Sequence, residues 1–386
     1  MGNYPTYKYI FCILLLSVIN VRAQLIRNFG DLEIHDNGQF GIYNTTVNDG
    51  QFLSSGGLVG LYGETPFSII GEKSPILRDL EIANQEGINL GVPISITNNI
   101  NFIYGDILTD KSNSSVFLEM VESAFYTGAT NFSKTNGRLK IDISSNFIAP
   151  VGDADLLRPI SINPLFPTSQ YTTAYYFDNP LLVASINTDT HISVMDTEYW
   201  ILEGENPVSI TLSWNERSGL FSKVDALNTL SIAGYNKTTL EWENLGNNNL
   251  LGDVNNGFIS SNEFLPSEYE VITFGILEEA AIAPTKPEIP NQYNYYLSVN
   301  GDGINDFLYI KELENYPDNE VQIYDRNGLL VFQMENYTNE FDGSTGVNVG
   351  AVHRAAGLPI GVYFYLASVN NGQYTIQGFL YLNRGE

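Results

Sequence analysis

The sequence predicts an all-β protein, on three observations. Short apolar segments are separated by Gly, Asn, Asp and Pro along most of the chain, and helical periodicity is almost absent. The segment Val208–Trp214 alternates strictly between apolar and polar residues, which places four large apolar side chains on one face of a sheet. Asn327-Gly328, between strand-like segments at 321–324 and 329–332, is a typical hairpin turn, and the segments at 362–366 and 374–376 predict another antiparallel pair.

Composition excludes some partners. The chain has 386 residues and a formal net charge of −26, from 18 Lys and Arg against 44 Asp and Glu. Such a surface repels the phosphates of nucleic acid and the anionic face of a membrane, so neither is expected as a partner. Because 43% of the residues are hydrophobic and only 16% are charged, we expect a packed chain of about two or three domains.

Residues 1–23 are predicted to be a secretory signal peptide. A basic residue precedes an apolar run, and Val21-Arg22-Ala23 is a small-residue exit, so cleavage is expected between Ala23 and Gln24. The run is too short for a permanent anchor, and no later apolar stretch is long enough to span a bilayer. The only cysteine, Cys12, lies in this segment, which argues against disulfides and cysteine metal sites. We therefore expect an exported, water-soluble mature chain with no integral membrane segment.

Strand length and composition divide the rest of the chain. Between about residues 57 and 120, tiny apolar clusters alternate with turn residues such as Asn84 and Asn98-Asn99. This favours the rungs of a β-solenoid over the alternative, a loop-rich antiparallel sheet. Longer strands rich in aromatic residues then favour a β-sandwich with its rings inside, and Pro residues three apart favour an extended linker. The predicted regions are a β-solenoid-like region at 24–149, a central β-sandwich at 150–277, a Pro-rich linker at 278–290 and a terminal domain at 291–386.

The terminal region carries an ordered set of motifs. They read V-N-G-D-G-I-N-D-F at 299–307, I-Y-D-R-N-G at 323–328, F-D-G at 341–343 and L-P-I-G-V-Y-F-Y at 358–365. In this order they resemble the gliding-motility-associated C-terminal domain, the type B sorting signal of the Bacteroidetes type IX secretion system. The sequence departs from that pattern at Val299, Asn327, Phe341 and Val362, which are packing or turn positions. The matching motif residues are Asn300, Gly301, Asp302, Gly303, Asn305, Asp306, Tyr324, Gly328, Asp342, Gly343, Pro359, Gly361 and Tyr363.

The resemblance implies a fold, a partner and a location. It implies a seven-stranded Ig-like sandwich that the type IX secretion translocon of the outer membrane binds. It also implies export through the periplasm to the cell surface or the medium. Segments at 147–153, 157–160, 198–200 and 213–214 resemble a pattern common in large exported Bacteroidetes surface proteins, and no activity follows from that likeness.

One loop of the terminal region is a candidate calcium site. Asn300, Asp302 and Asp306 alternate on a Gly-rich loop and, with the carbonyl of Ile304, would suit a hard cation. The alternative is a tight turn in which the same side chains bond nearby backbone amides. A weaker loop of this kind lies at 253–257. Calcium is the only cofactor that the sequence suggests.

The patterns of an ordinary enzyme are absent from the sequence. No H-E-x-x-H or G-x-S-x-G motif occurs, and the three His residues are far apart. Carboxylates two residues apart, at 153/155, 203/205 and 241/243, are expected on solvated strand faces, because glycosidase carboxylates usually face each other across a cleft. Trp200, Trp214 and Trp242 are expected in the core, with stacking on a sugar as the alternative.

These observations favour a non-enzymatic, adhesion-type protein. Its passenger, at residues 24–280, would contact glycans or other cell-surface components, and its terminal domain would direct secretion. The alternative is a secreted polysaccharide-acting enzyme, because β-solenoids host lyases and hydrolases that use clustered carboxylates.

Overall fold

The computed structural model describes residues 25–121, 123–184, 192–224, 227–277, 294–310, 313, 316–326, 328–345, 357–369 and 374–384. These residues form β-strands and a few 3-10 helices, so the predicted all-β class is confirmed. No helix within these ranges is long and apolar enough to cross a membrane. The predicted signal peptide, with its cleavage site between Ala23 and Gln24, and the predicted linker at 278–290 lie outside the described residues.

The N-terminal region is a stack of parallel rungs, which confirms the solenoid-like prediction. Strands about 20 residues apart pair in parallel, as Val59 does with Leu80 and Leu80 with Ile100. The strands are β1 (Ile26–Asn28), β2 (Asp31–Ile34), β3 (Gln39–Ile42), β4 (Thr46–Asn48), β5 (Gln51–Ser54), β6 (Leu58–Gly63), β7 (Phe67–Gly71), β8 (Ile76–Asn84), β9 (Ile88–Leu90), β10 (Ile94–Tyr104), β11 (Ile107–Leu108), β12 (Leu118–Met120), β13 (Phe125–Thr127), β14 (Thr135–Asn136) and β15 (Leu139–Ile143).

Two walls of this stack enclose its core. One wall is a six-stranded sheet in the order β1-β4-β7-β9-β11-β14. The other is the parallel part of a larger sheet that runs β2-β5-β8-β10-β12-β15 and also holds β3 paired with β6, β6 paired with β8, and β13 paired with β10. Alternate side chains point inward, so that Leu61, Ile82 and Phe102 from one wall are at most 1% exposed, as is Ile88 from the other. Burying each such side chain stabilises the fold by roughly 1.5–3 kcal/mol.

One strand, β10, is longer than the sequence predicted. Asn98-Asn99 was expected in a turn, but both residues lie inside the 11-residue strand β10. The register with β8 shifts between Ile96 and Asn99, and this bulge lets the outward Asn98 Nδ2 donate to Asp79 Oδ1 of the preceding rung at 2.5 Å. Asparagine pairs of this kind mark turns in most sequences, and here the cross-rung hydrogen bond keeps them in a strand.

The central region continues the larger sheet and adds a second one. β15 pairs in parallel with β12 on one side and antiparallel with β18 on the other. A five-stranded sheet in the order β16-β17-β21-β25-β24 completes the pair of sheets. The strands are β16 (Phe147–Ala149), β17 (Ile160–Pro164), β18 (Ser169–Tyr176), β19 (Ile192–Val194), β20 (Tyr199–Glu203), β21 (Val208–Trp214), β22 (Leu230–Asn236), β23 (Trp242–Gly246), β24 (Asn248–Gly252), β25 (Gly257–Ser260) and β26 (Tyr269–Leu277).

Aromatic rings fill the space between these sheets. Trp200 and Trp214 are 0% and 2% exposed, and both meet the edge of the Phe274 ring, with centroids 5.8 and 6.2 Å away. Trp242 is also buried, at 3%. The prediction that the tryptophans belong to the core is confirmed, and stacking of these rings on a sugar is excluded. One hydrophobic core extends from Ile34 in the solenoid to Phe274, so the two regions share both a sheet and a core.

The described part of the terminal region forms a separate five-stranded sheet with its own core, in the order β27-β31-β30-β28-β29. Both antiparallel pairs that the sequence predicted are present, β28 with β29 and β30 with β31. β27 pairs in parallel with β31. The implied total of seven strands stays a prediction, as do the region boundaries. The strands are β27 (Tyr295–Ser298), β28 (Asn319–Tyr324), β29 (Leu330–Glu335), β30 (Gly361–Val369) and β31 (Tyr374–Asn383).

Candidate functional site

The loop at 300–306 follows β27 and folds around one carboxylate. Asp306 Oδ1 accepts hydrogen bonds from the backbone N–H groups of Asn300, at 3.0 Å, and Gly301, at 2.8 Å. Its Oδ2 accepts from the N–H of Gly303 at 2.7 Å. Gly301 and Gly303 have φ angles of 78° and 82°, a region that glycine enters without strain. Asp302 supports the loop in the same way, because its Oδ1 accepts from the N–H of Ile304 at 2.7 Å.

These contacts have an electrostatic consequence. The backbone N–H groups of Gly301, Gly303 and Asn300 lower the pKa of Asp306 below its ordinary value, because they stabilise the ionised carboxylate. The turn that the sequence analysis offered as the alternative therefore accounts for the carboxylates of Asp302 and Asp306. Calcium bound by Asn300, Asp302, Ile304 and Asp306 stays a prediction. The weaker loop is similar, since Asp253 Oδ1 accepts from the N–H groups of Asn255 and Asn256.

Three other motif segments meet at the same end of the sheet. Arg384 follows β31 and donates from Nε to the carbonyl of Leu358 at 2.9 Å and from Nη2 to the carbonyl of Gly343 at 3.0 Å. The N–H of Leu358 also donates to the carbonyl of Gly343, at 2.8 Å. A Cβ at Gly357 would lie 1.8 Å from Arg384 Nη2, so only glycine leaves room for the guanidinium there. We call residues 299–306, 341–344, 357–363 and 384 the motif end.

Local hydrogen bonds hold the remaining residues of the motif end. Asp342 Oδ1 accepts from the N–H and the hydroxyl of Ser344, at 3.0 and 2.5 Å. The hydroxyl of Tyr363 donates to the carbonyl of Pro359 at 2.7 Å and closes the turn that leads into β30, which begins at Gly361. The N–H of Ser298, next to the loop, donates to the carbonyl of Asn305 at 2.9 Å. The motif residues at this end are therefore loop-shaping residues.

Two motif residues lie elsewhere, against the central region. The Tyr324 ring packs on the ring of Phe258 in β25, with centroids 4.7 Å apart. Phe364 meets Phe258 edge to face at 5.5 Å, and Leu251 belongs to the same buried cluster. Gly328, with a φ of 80°, brings its Cα close enough that a Cβ there would lie 3.4 Å from the Cβ of Phe258. We call this contact the docking cluster.

A buried charged network lies between the sheets of the central region, and sequence reasoning assigned it no role. Arg158 donates from Nε and Nη2 to the two carboxylate oxygens of Glu198, at 3.0 and 2.6 Å. Arg158 Nη2 also donates to the Ser213 carbonyl at 2.7 Å, and the Trp200 indole donates to the Arg158 carbonyl at 3.1 Å. The segments 157–160, 198–200 and 213–214, noted in the sequence as a recurring pattern, thus meet here. In the sequence these segments showed only a resemblance to other exported proteins. In the structure they supply the residues of this buried network.

The network continues to the surface. The Tyr175 hydroxyl donates to Glu198 Oε2 at 2.6 Å, and Arg217 contacts both the Tyr175 oxygen and Asp153. Burial alone would lower the pKa of Arg158, but the negative charge of Glu198 raises it above its ordinary value. Burial and the Glu198 carboxylate raise the pKa of Tyr175, which keeps its proton on the phenol. Arg158 and Tyr175 therefore both stay protonated and hold the two sheets together through Glu198.

A lysine joins the solenoid to the sandwich. Lys111 Nζ donates to the carbonyls of Gly152, at 3.2 Å, and Tyr175, at 2.7 Å. Burial lowers the pKa of Lys111 to about 8, with the charge of Asp106 opposing that shift and the charge of Lys134 adding to it. Lys134 itself is fully buried and bonded to Asp106 at 3.1 Å.

At least one carboxylate of each pair noted in the sequence has a partner in the fold. Glu203 bonds Arg138 and is 50% exposed, as expected of a strand face, whereas Asp153 is largely covered and bonds Arg217. Glu243 accepts hydrogen bonds from the hydroxyls of Tyr269 and Thr239, at 2.8 and 3.1 Å. These three carboxylates are therefore each tied to a nearby cation or hydroxyl.

Comparison with known proteins identifies one region of the chain. The CHU_C type IX secretion signal domain matches residues 290–382, which include β27–β30, β31 as far as Leu382, and all of the motif end except Arg384. No curated protein and no solved structure matches the chain.

Proposed function

Residues 290–382 are a type IX secretion signal domain, and from this premise we propose that the protein acts outside the cell as a non-enzymatic contact protein. Export through the type IX system brings the rest of the chain to the outer membrane, the cell surface or the medium. There, residues 24–280 supply the contact area. The secretion machinery is the partner of the terminal domain, which acts by being bound.

The matched domain is the observation that carries the proposal. Its motif residues do not converge on a reactive group. They shape loops around Asp306 and beneath Arg384. Loops of fixed conformation form a surface that a translocon can bind. The passenger supports the same proposal, because Glu198, Asp153, Glu203 and Glu243 are each engaged by Arg, Tyr or Thr side chains of the fold. Its surface offers extended sheet walls, which suit contact with a large partner.

Deletion of residues 291–386 tests the export step. In a strain with an intact type IX system, the shortened passenger should accumulate in the periplasm while the full chain reaches the surface. Surface labelling and fractionation measure both. A passenger that still reaches the surface would overturn this step.

A second experiment tests the contact role. Cells displaying the full chain should adhere to cells of the same community or to their extracted polysaccharide more than cells that lack it. Release of reducing sugar or unsaturated ends from those polysaccharides by the purified protein would instead favour the polysaccharide-acting enzyme. Display without any change in adhesion would overturn the contact role.

A further inference from the structure

The outward side of the larger solenoid wall carries in-register rows of side chains. Because β3, β6, β8, β10 and β13 pair in parallel, residues at matching positions line up across the rungs. Rungs follow each other at about 4.8 Å, so each row is a line of closely spaced groups. We call this surface the outer face, and its middle row is Gly41, Gly60, Glu81, Asn101 and Thr127.

Two tyrosines cover glycines of the outer face, with their ring planes inclined at 45° to each other. Tyr43 and Tyr62 have ring centroids 5.6 Å apart, and Tyr43 is 62% exposed. The Tyr62 ring covers Gly60, where a Cβ would lie 2.0 Å from the ring Cζ, and Tyr43 approaches Gly41, where a Cβ would lie 2.9 Å from the ring Cε2. The two glycines therefore let the rings approach the backbone closely, with the Tyr43 side chain largely exposed to solvent and the Tyr62 side chain half-buried beside it. Tyr104, 43% exposed, extends the tyrosine row beyond Ala83.

Polar groups beside these rings are already held in place. Glu81 accepts from the Tyr62 hydroxyl at 2.9 Å and from Asn101 Nδ2 at 3.1 Å. Thr127 donates to Asn101 Oδ1 at 2.9 Å. A ligand that binds here meets fixed acceptors and donors, so less side-chain freedom is lost on binding.

We propose that the outer face binds an uncharged polysaccharide, laid across the rungs over Tyr43 and Tyr62. The apolar C–H face of a pyranose ring suits a flat tyrosine ring, and sugar hydroxyls suit the acceptor oxygens of Glu81 and Asn101. The carboxylates of Asp79 and Glu81 disfavour an anionic glycan, and the nearby Arg78 is already paired with Asp79. This inference rests on the proposed contact role and specifies its partner.

The test is affinity electrophoresis of the purified full chain in native gels. The gels contain either hydroxyethyl cellulose, laminarin or xyloglucan as uncharged probes, or alginate and polygalacturonate as anionic ones. We expect at least one uncharged polysaccharide to retard the protein and the anionic ones not to do so. Tyr43→Ala and Tyr62→Ala should each lower the apparent affinity measured from the retardation roughly tenfold, which is the size expected for the loss of one stacked ring.

Two further variants serve as controls. One tests whether binding needs the Tyr62 hydroxyl as well as its ring, and the other tests whether loss of any exposed tyrosine ring weakens binding. Tyr62→Phe keeps the ring and should retain most of the binding. Tyr381→Ala removes one ring of an exposed stacked pair, Tyr296 and Tyr381, in the terminal region, and should bind like the wild type. Because Tyr43 and Tyr381 lie at the surface, 62% and 42% exposed, neither change should alter the circular dichroism spectrum.

Results that reject this inference can be told apart from results that reject the contact role. Equal retardation of the wild type and of a double variant that carries both Tyr43→Ala and Tyr62→Ala would overturn this inference. A preference for the anionic probes, or no retardation by any of the three uncharged probes, would also overturn it. Adhesion of displaying cells that persists in the double variant would leave the contact role standing while the outer face is rejected.

Discussion

Arg158 and Glu198, 40 residues apart in sequence, form a two-point ion pair between the sheets, with side chains 3% and 1% exposed. Removing one partner leaves the other charge buried without compensation, which typically costs about 3–5 kcal/mol. We predict a loss of this size in the free energy of unfolding for Arg158→Ala, measured by urea denaturation. Asp49→Asn, at the more exposed Arg27–Asp49 pair, is the control and should cost no more than about 1 kcal/mol. Equal losses in the two variants would contradict the prediction.

The double variant Arg158→Met/Glu198→Met separates charge burial from packing. It removes both charges and keeps apolar volume, so it should be less destabilised than Arg158→Ala. A double variant that unfolds as easily as the single one would show that the hydrogen bonds to Ser213 and Tyr175 carry the stability.

The pair also shows what sequence can predict here. Alternation at Val208–Trp214 predicted a strand with one buried face, because that information is local. The motif at 300–306 indicated a Gly-rich loop, either a calcium site or a tight turn, for the same reason. Arg158 and Glu198 lie on segments whose spatial contact depends on how the sheets are ordered, and no spacing rule encodes that order. Asn98-Asn99 misled for a related reason, since a hydrogen bond to the neighbouring rung keeps them in a strand.

Lys111 should make stability depend on pH in the alkaline range. Its pKa in the fold is lowered to about 8 from an ordinary 10.5, so between these values the unfolded chain binds more protons than the folded one. Stability from this group therefore rises as pH increases through that window. We predict that the free energy of unfolding of the wild type, relative to Lys111→Met, increases from about pH 8 to 10.5. The comparison cancels the other titrating groups, and a flat or falling difference would contradict it.

One measurement distinguishes a calcium site from a tight turn in the loop at 300–306. If calcium binds through Asn300, Asp302, Ile304 and Asp306, the Tm of the full chain should be higher in calcium than in chelator, because a ligand bound only to the folded state stabilises it. Asp306→Asn should abolish that difference. Equal Tm values for the wild type in both buffers would contradict the calcium site. They would support a turn in which the Asp306 carboxylate accepts from three backbone N–H groups.

The docking cluster should hold the terminal domain against the central region. Phe258 is 1% exposed and packs on Tyr324 and Phe364. We predict that Phe258→Ser separates the two regions, seen as a larger radius of gyration by small-angle X-ray scattering and faster proteolysis between residues 278 and 290. Phe132→Ser, at a ring that is 75% exposed, is the control and should change neither. An unchanged radius in Phe258→Ser would show that other contacts hold the domain.

Arg384 should matter for export as well as for stability. Its guanidinium ties the carbonyls of Leu358 and Gly343 together, and these belong to two separate motif segments. Arg384→Ala leaves both carbonyls without their donor and frees the loops that we propose the translocon binds. We predict a lower Tm and a smaller fraction of the protein at the surface, measured by fractionation and surface labelling. Arg326→Ala, at an exposed arginine of the same domain, is the matched control. Normal export of Arg384→Ala with a lowered Tm would assign Arg384 to stability alone and move the recognised surface away from the motif end.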